Sequence, residues 1–113
     1  MDNEIHKGLA GGRWNNYSKE IQILNIAAEL SRTKNWLLKG DAKEAGNCLV
    51  RALELTDLTI NDRKWRGPCL KELLRWRGVL AEFYINQNKD VSHFLRLLRI
   101  LLYFNKFTSQ VEV

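Results

Sequence analysis

The segment LKGDAKEA, residues 38–45, decides the architecture because it combines the end of one helix with the start of another. Gly40 suits the left-handed conformation in which many helices end, since glycine has no Cβ to clash with the backbone. Asp41, followed three residues later by Glu44, fits the acidic form of a capping box at the first turn of a new helix. So short a turn between two helices predicts an antiparallel helical hairpin.

Apolar residues at helical spacing lie on both sides of this turn. The preceding helix, for which Asn16 or Ser18 is a suitable N-cap, has two apolar stripes, which predict burial on two sides, in the centre of a bundle or at a subunit contact. These stripes are Ile23, Ile26, Ala27, Leu30 and Leu37, and Ile21, Leu24 and Ala28. The following helix has one stripe, formed by Ala45, Cys48, Leu49, Ala52, Leu55, Thr56 and Thr59.

Two further helices are predicted downstream of the hairpin. Pro68 suits the first position of a third helix, because the N–H that it lacks would have no partner there. The stripe of this helix is Leu70, Leu73, Leu74, Arg77, Leu80, Ala81 and Tyr84. A loop over residues 86–90 leads to a fourth helix from about Val91 to Phe104. We therefore predict an all-α, four-helix bundle built from antiparallel helical hairpins at 16–106, with a flexible N-terminal arm at 1–15 and a C-terminal tail at 107–113.

The composition agrees with a single helical domain. The chain has 113 residues, of which 45% are hydrophobic and 27% charged, and its single Pro leaves few breakers for the turns of an all-β domain. Asp2 and Glu4 argue against a secretory signal, and the stretch 91–104 is shorter than the roughly 20 apolar residues that span a bilayer. We expect a cytoplasmic protein without a membrane partner, in which Cys48 and Cys69 are buried, reduced thiols.

The positive charge is concentrated in the second half of the chain. The net charge is +5, and residues 62–113 hold 10 basic and 5 acidic side chains. Basic groups neutralise phosphates and an indole can stack on an unpaired base, so the segment 63–77 suits RNA or single-stranded DNA. The alternative is a solvated basic face with two tryptophans at the rim of the core. The candidate nucleic-acid or anion-binding residues are Arg63, Lys64, Trp65, Arg66, Lys71, Arg75 and Trp76.

Arg77 is a charged residue within the apolar stripe of the third helix. A charge in that position needs a partner or a path to solvent, because an isolated buried ion is strongly unfavourable. Asp57 and Glu20 lie at the edges of their own stripes and are candidate partners. We predict a buried, paired charge at Arg77, with an anion-binding arginine as the alternative.

The fourth helix is apolar over more than half of its circumference, which is more surface than one neighbouring helix usually covers. A second copy of the chain is the simplest cover, and a helical protein partner is another. We therefore predict a homodimer or a helical partner. The candidate interface residues are Phe94, Leu97, Leu98, Leu101 and Phe104.

The sequence contains no recognisable catalytic or metal-binding set. His6 and His93 have no Ser or Cys nucleophile placed beside them by spacing, and no ExxH, HxH or ExxE pattern supplies the ligands found in helical-bundle metalloenzymes. Glu54 with Asp57 comes nearest, without a histidine beside it. We expect no catalytic residues, no metal site and no cofactor.

Three partial resemblances accompany this pattern. NWLLKGDAKEA (35–45) followed by RALEL (51–55) resembles one tetratricopeptide repeat, although no second copy follows at the 34-residue period. The wider pattern resembles a family of small, uncharacterised prokaryotic all-helical proteins, which implies an independent cytoplasmic domain and indicates no activity. It consists of RWNN (13–16), NIAAEL (25–30), RALELTDLT (51–59), RG (66–67), KEL (71–73) and EFY (82–84).

The size and layout are also similar to HEPN-type bundles, whose nucleases carry an Arg, four to six residues, and then a His. Asn86, Gln87 and Asn88 occupy the positions where that Arg would precede His93. A HEPN-like nuclease is therefore the least expected function. The sequence favours a non-enzymatic helical module that self-associates or binds a protein partner, with nucleic-acid binding through 63–77 as the alternative.

Overall fold

The computed structural model describes the backbone of residues 12–111 and the side chains of residues 12–104, and it has the all-α class that the sequence predicts. A single 3₁₀ turn at Trp14–Asn16 precedes four helices. No strand occurs in the described part of the chain. The helices are α1 (Lys19–Leu38), α2 (Ala42–Ile60), α3 (Gly67–Ile85) and α4 (Val91–Val111).

The helices begin at the capping residues that the sequence suggested. Ser18 caps α1, since its hydroxyl accepts a hydrogen bond from the backbone N–H of Ile21 at 3.2 Å. Asp41 caps α2 by accepting from the N–H of Glu44 at 3.0 Å. Gly40 has a φ of +78°, the left-handed conformation expected after the end of α1. Pro68 lies in the first turn of α3. The predicted α1–α2 hairpin and the predicted start of α3 are confirmed.

The four helices enclose one hydrophobic core, with α1 packed extensively against both α2 and α4. The stripe predicted for α2 is confirmed, because all seven of its residues are buried. The first stripe of α1 is buried apart from Leu37, which is partly buried. The second stripe is exposed, so the prediction that it lies in the centre of the bundle is wrong for the single chain. Ile21, Leu24 and Ala28 lie on the face of α1 opposite the core.

The buried face of α3 differs from the predicted stripe. Leu74 and Tyr84 are exposed, whereas Trp76 and Phe83 point into the core. Both faces of this helix carry apolar residues at helical spacing, and the face with the larger aromatic rings is the one that is buried. The buried residues of α3 are Cys69, Leu73, Trp76, Leu80 and Phe83.

Both predicted chain ends require correction where the structure describes them. Trp14, which we assigned to a flexible arm, is buried, and its indole Nε1 donates to the Thr59 hydroxyl at 3.0 Å. Residues 1–11 of that predicted arm lie outside the described residues. At the other end, α4 continues to Val111 through most of the predicted tail, because no Gly or Pro follows Phe104 to end it. Residues 112 and 113 lie outside the described part.

None of the helices in the described range combines the length and the hydrophobicity that crossing a bilayer requires.

Candidate functional site

The fold separates the aromatic residues of the segment 63–77 from its basic residues. Trp65 is 2% exposed and Trp76 is 6% exposed. The indole Nε1 of Trp65 donates to Gln22 Oε1 at 2.7 Å, and that of Trp76 donates to the Leu97 carbonyl at 3.1 Å. Trp65 offers no ring face to a base, and Trp76 reaches the surface only where it lines a groove between α3 and α4, so the two indoles do not form the exposed stacking surface that was predicted for nucleic acid. They are core residues rather than rim residues.

Gln22 is the centre of the buried polar contacts that hold Trp65. Its amide Nε2 donates to the Trp14 carbonyl at 2.9 Å and to Asp62 Oδ2 at 2.8 Å, while its Oε1 accepts from Trp65. These bonds fasten the 3₁₀ turn and the α2–α3 loop to α1. Gln22 was not predicted from the sequence, since no spacing rule distinguishes it from an exposed glutamine. Because its donors and acceptors are all used inside the fold, this cluster is structural.

The basic residues of the same segment lie on the surface in different places. Arg63 and Arg66 are exposed in the loop before α3 and at its start, and Lys71 is exposed on α3. Lys64 is held by Asp62 and by the Asn15 carbonyl. The structure therefore shows exposed cations without an aromatic surface between them.

Arg77 forms the ion pair that the sequence suggested with Asp57. Its Nε and Nη2 donate to the two carboxylate oxygens of Asp57 at 2.9 Å and 3.1 Å. The side chains are 36% and 50% exposed, so the predicted pairing is confirmed and the predicted burial is wrong. The stem of Arg77 reaches solvent along the edge of α3 instead. Asp57 occupies the edge of the guanidinium formed by Nε and Nη2, which leaves the edge formed by Nη1 and Nη2 for any other anion.

The predicted interface on α4 lies mainly inside the bundle. Phe94, Leu97 and Leu101 are buried, and Leu98 and Phe104 pack against the core as partly buried side chains. Phe94 and Leu101 are fully buried and offer no surface to another subunit, so the prediction is wrong for these two, and Leu97 reaches the surface only in the groove between α3 and α4. The helix is broadly apolar because it packs against α1 and α3 at once. The exposed apolar residues of α4 are Ile100, Leu102 and Tyr103.

A groove of about 280 Å³ lies between α3 and α4. The helices α3 and α4 contact each other less than α1 and α4 do. A hydrogen bond from the indole Nε1 of Trp76 to the Leu97 carbonyl links them at the groove. Its apolar wall consists of Trp76, Val79, Leu97, Ile100 and Phe104, with Glu72 and Arg75 also lining it. The predicted interface and the predicted basic segment each contribute residues to the groove. Val79 and Ile100 also line it, and neither was predicted as a site residue.

The two sides of the groove differ in charge. On α3, Arg75 Nη1 lies 3.3 Å from Glu72 Oε2, so the cation is balanced within its own helix. The helix α4 has three basic residues and no acidic residue. Arg96 lies four residues before Ile100 on the same side of α4, and both Arg96 and Arg99 are exposed. Arg96 therefore places a positive charge at the α4 rim of the groove, next to Ile100, and Arg99 lies further round the helix, beyond Arg96.

The remaining candidate residues form no reactive cluster. Cys48 and Cys69 are free and buried, as the sequence predicts. Burial raises the pKa of the Cys48 thiol, although Arg51 donates to its sulfur at 3.3 Å and opposes the shift. Among the residues that the structure describes, no group of three His, Cys, Asp or Glu side chains is placed to hold a metal ion.

Comparison of the chain with protein-family models, with curated proteins and with solved structures gave no match.

Proposed function

We propose that this chain is a protein-interaction module that holds the apolar face of a helix from another protein in the groove between α3 and α4. The observation that carries this proposal is the exposed apolar wall of the groove, in which Ile100 is 50% exposed although it is a large aliphatic residue. Large exposed aliphatic groups in a concave site are typical of surfaces that bind a partner.

The size of the groove fits the anchoring side chains of a helix. Its volume of about 280 Å³ is close to twice the roughly 150 Å³ that encloses one benzene molecule in a protein core. Two side chains of leucine or phenylalanine size, one helical turn apart, would occupy such a volume. Helices that bind in grooves use anchors at i, i+3 or i+4, and i+7 in this way.

A second copy of the chain fits the groove less well than a different protein does. In a two-fold symmetric pair, both copies use the same patch, so each copy would bring its exposed Arg96 and Arg99 into the interface and α4 would bring no acidic residue to match them. Like charges placed together across an interface oppose association. Three of the five residues predicted for the dimer face on α4, Phe94, Leu97 and Leu101, are buried in the chain itself. We therefore propose a partner of different sequence.

Nucleic acid also fits the site less well. Single-stranded nucleic acid is bound by exposed aromatic rings beside basic groups, and here Trp65 is buried and only a small part of Trp76 is exposed, in the groove. An apolar groove wall gives phosphates no partner, whereas it gives a leucine or phenylalanine side chain full burial.

The proposal is tested by selecting peptides from a random library of displayed helical peptides about four turns long. We expect selected sequences to converge on apolar residues at i, i+3 or i+4, and i+7. Their affinity should fall at least about tenfold for Ile100→Asp, because a carboxylate would replace an apolar contact.

Leu102→Asp is the matched control, since Leu102 is 43% exposed on the same helix and does not line the groove. Its affinity for the selected peptides should stay within about twofold of the unchanged protein, because substitutions outside a binding site have little effect. A selection without convergence, or equal losses in the two variants, would overturn the proposal.

A further inference from the structure

The charges around the groove identify the chemistry of the partner helix. We infer that the partner is an acidic amphipathic helix, with Asp or Glu along the edge that faces α4; this inference rests on the proposed function. It combines the apolar wall with the unbalanced arginines beside that wall.

Arg96 and Arg99 supply the charge on the α4 edge. They lie three residues apart, so both project from neighbouring positions on one side of the helix. Both are exposed, and neither forms an ion pair with a carboxylate among the residues that the structure describes. A carboxylate on a docked helix would meet two unpaired guanidinium groups there, and arginine binds carboxylates with paired hydrogen bonds.

The α3 edge of the groove, in contrast, has no excess of positive charge that acidic residues of a partner would balance. Arg75 is paired with Glu72, and Glu82 lies seven residues after Arg75, on the same side of α3 as Arg75. This edge of α3 therefore has two basic side chains, Lys71 and Arg75, and two acidic ones, Glu72 and Glu82, with no excess of positive charge. Because only the α4 edge is unbalanced, acidic residues are expected on one edge of the partner helix rather than on both, which a general attraction to the basic chain does not explain.

Three synthetic helical peptides test this inference by isothermal titration. All three share the apolar residues recovered in the selection, and their residues along one edge are Glu, Gln or Lys. We expect the Glu peptide to bind about fivefold more tightly than the Gln peptide, and the Lys peptide to bind most weakly. The differences should shrink between about 50 mM and about 500 mM salt, because salt screens exposed charges.

A charge-reversed variant shows which arginines are responsible. In the double variant Arg96→Glu with Arg99→Glu, the order of the three peptides should reverse. The double variant Arg63→Glu with Arg66→Glu changes the net charge equally at two exposed positions that do not line the groove. It should retain the original order, since its charges lie away from the docked edge.

The outcomes separate the inference from the proposed function. Equal binding of all three peptides, or equal effects of the two double variants, overturns the acidic edge and leaves the groove as the binding site. If no peptide binds, both the inference and the proposed function are wrong. If single-stranded RNA displaces the Glu peptide and the Arg96 and Arg99 reversals abolish RNA binding, the partner is a nucleic acid and the inference is overturned.

Discussion

At the scale of single residues, Gln22 determines how the N-terminal turn and the α2–α3 loop attach to the bundle. Replacing it with leucine should lower the free energy of unfolding by about 3 kcal/mol, because the indole N–H of Trp65, the carbonyl of Trp14 and the Asp62 carboxylate all lose a buried partner. Urea unfolding followed by tryptophan fluorescence measures this loss. Asn25→Leu, at an exposed position of the same helix, should change stability by less than about 0.5 kcal/mol. Equal effects of the two substitutions would contradict the buried role of Gln22.

Asp62 makes the stability of this region depend on pH. Burial raises the pKa of its carboxyl, but hydrogen bonds from Lys64 and Gln22 outweigh burial, so the pKa lies below its usual value. A carboxyl with a lowered pKa in the folded state contributes stability above its unfolded pKa of about 3.9, and this contribution is lost as the pH falls through the folded pKa.

Asp62→Asn should therefore be less stable than the unchanged protein at pH 7, and the difference should shrink as the pH falls below about 4. Urea unfolding at a series of pH values measures both curves. If the two proteins keep a constant difference across this range, the charged form of Asp62 does not stabilise the fold.

At the scale of elements, α3 provides the sharpest test of helix orientation. Leu73 and Leu74 are neighbours with the same side chain, but Leu73 is fully buried and Leu74 is 48% exposed. Leu73→Ala should cost about 3 kcal/mol of unfolding free energy, the usual loss for a truncated core leucine. Leu74→Ala should cost less than about 1 kcal/mol, because much of its side chain is already in water. Similar losses in the two variants would mean that α3 is rotated from the orientation described.

The same helix shows why the helix boundaries could be predicted from the sequence, whereas the buried face of a helix could not. The starts of α1, α2 and α3 and the end of α1 follow from local chemistry at Ser18, Asp41, Pro68 and Gly40, which acts within a few residues. The buried face of α3 depends on which of two apolar stripes meets the other helices. That choice is made by tertiary packing, and the spacing of Leu70, Leu74 and Tyr84 satisfies helical periodicity as well as the buried set does.

At the scale of the whole molecule, the groove arises from packing that no single segment encodes. Val79 and Ile100 come from different helices and meet only because α4 uses its main apolar face against α1 and leaves its edge to α3. The sequence did indicate that α4 carries more apolar surface than one neighbour covers. It could not show which of those residues the chain covers itself, and the predicted interface included residues that α1 and α3 bury.

The charge pattern, in contrast, was visible in the sequence at the scale of the molecule. The excess of basic residues in the second half is real, and α4 has no acidic residue to offset its own. The fold shows in addition that this charge lies beside the exposed apolar wall of the groove, and that Trp65 and Trp76 are buried. Both features weigh against nucleic acid, the alternative that the sequence left open, and favour a helical protein partner.

The central claim is that a partner helix occupies the groove between α3 and α4, and amide and indole chemical-shift mapping tests it most directly. The indole N–H of Trp76 donates to Leu97 in the groove, whereas that of Trp14 donates to Thr59 elsewhere in the core. On titration with a selected peptide, the Trp76 indole resonance and the backbone resonances of residues 97–104 should shift together, while the Trp14 indole resonance stays in place. Shifts confined to the α1 face around Ile21 and Leu24, with the Trp76 indole unchanged, would contradict the claim.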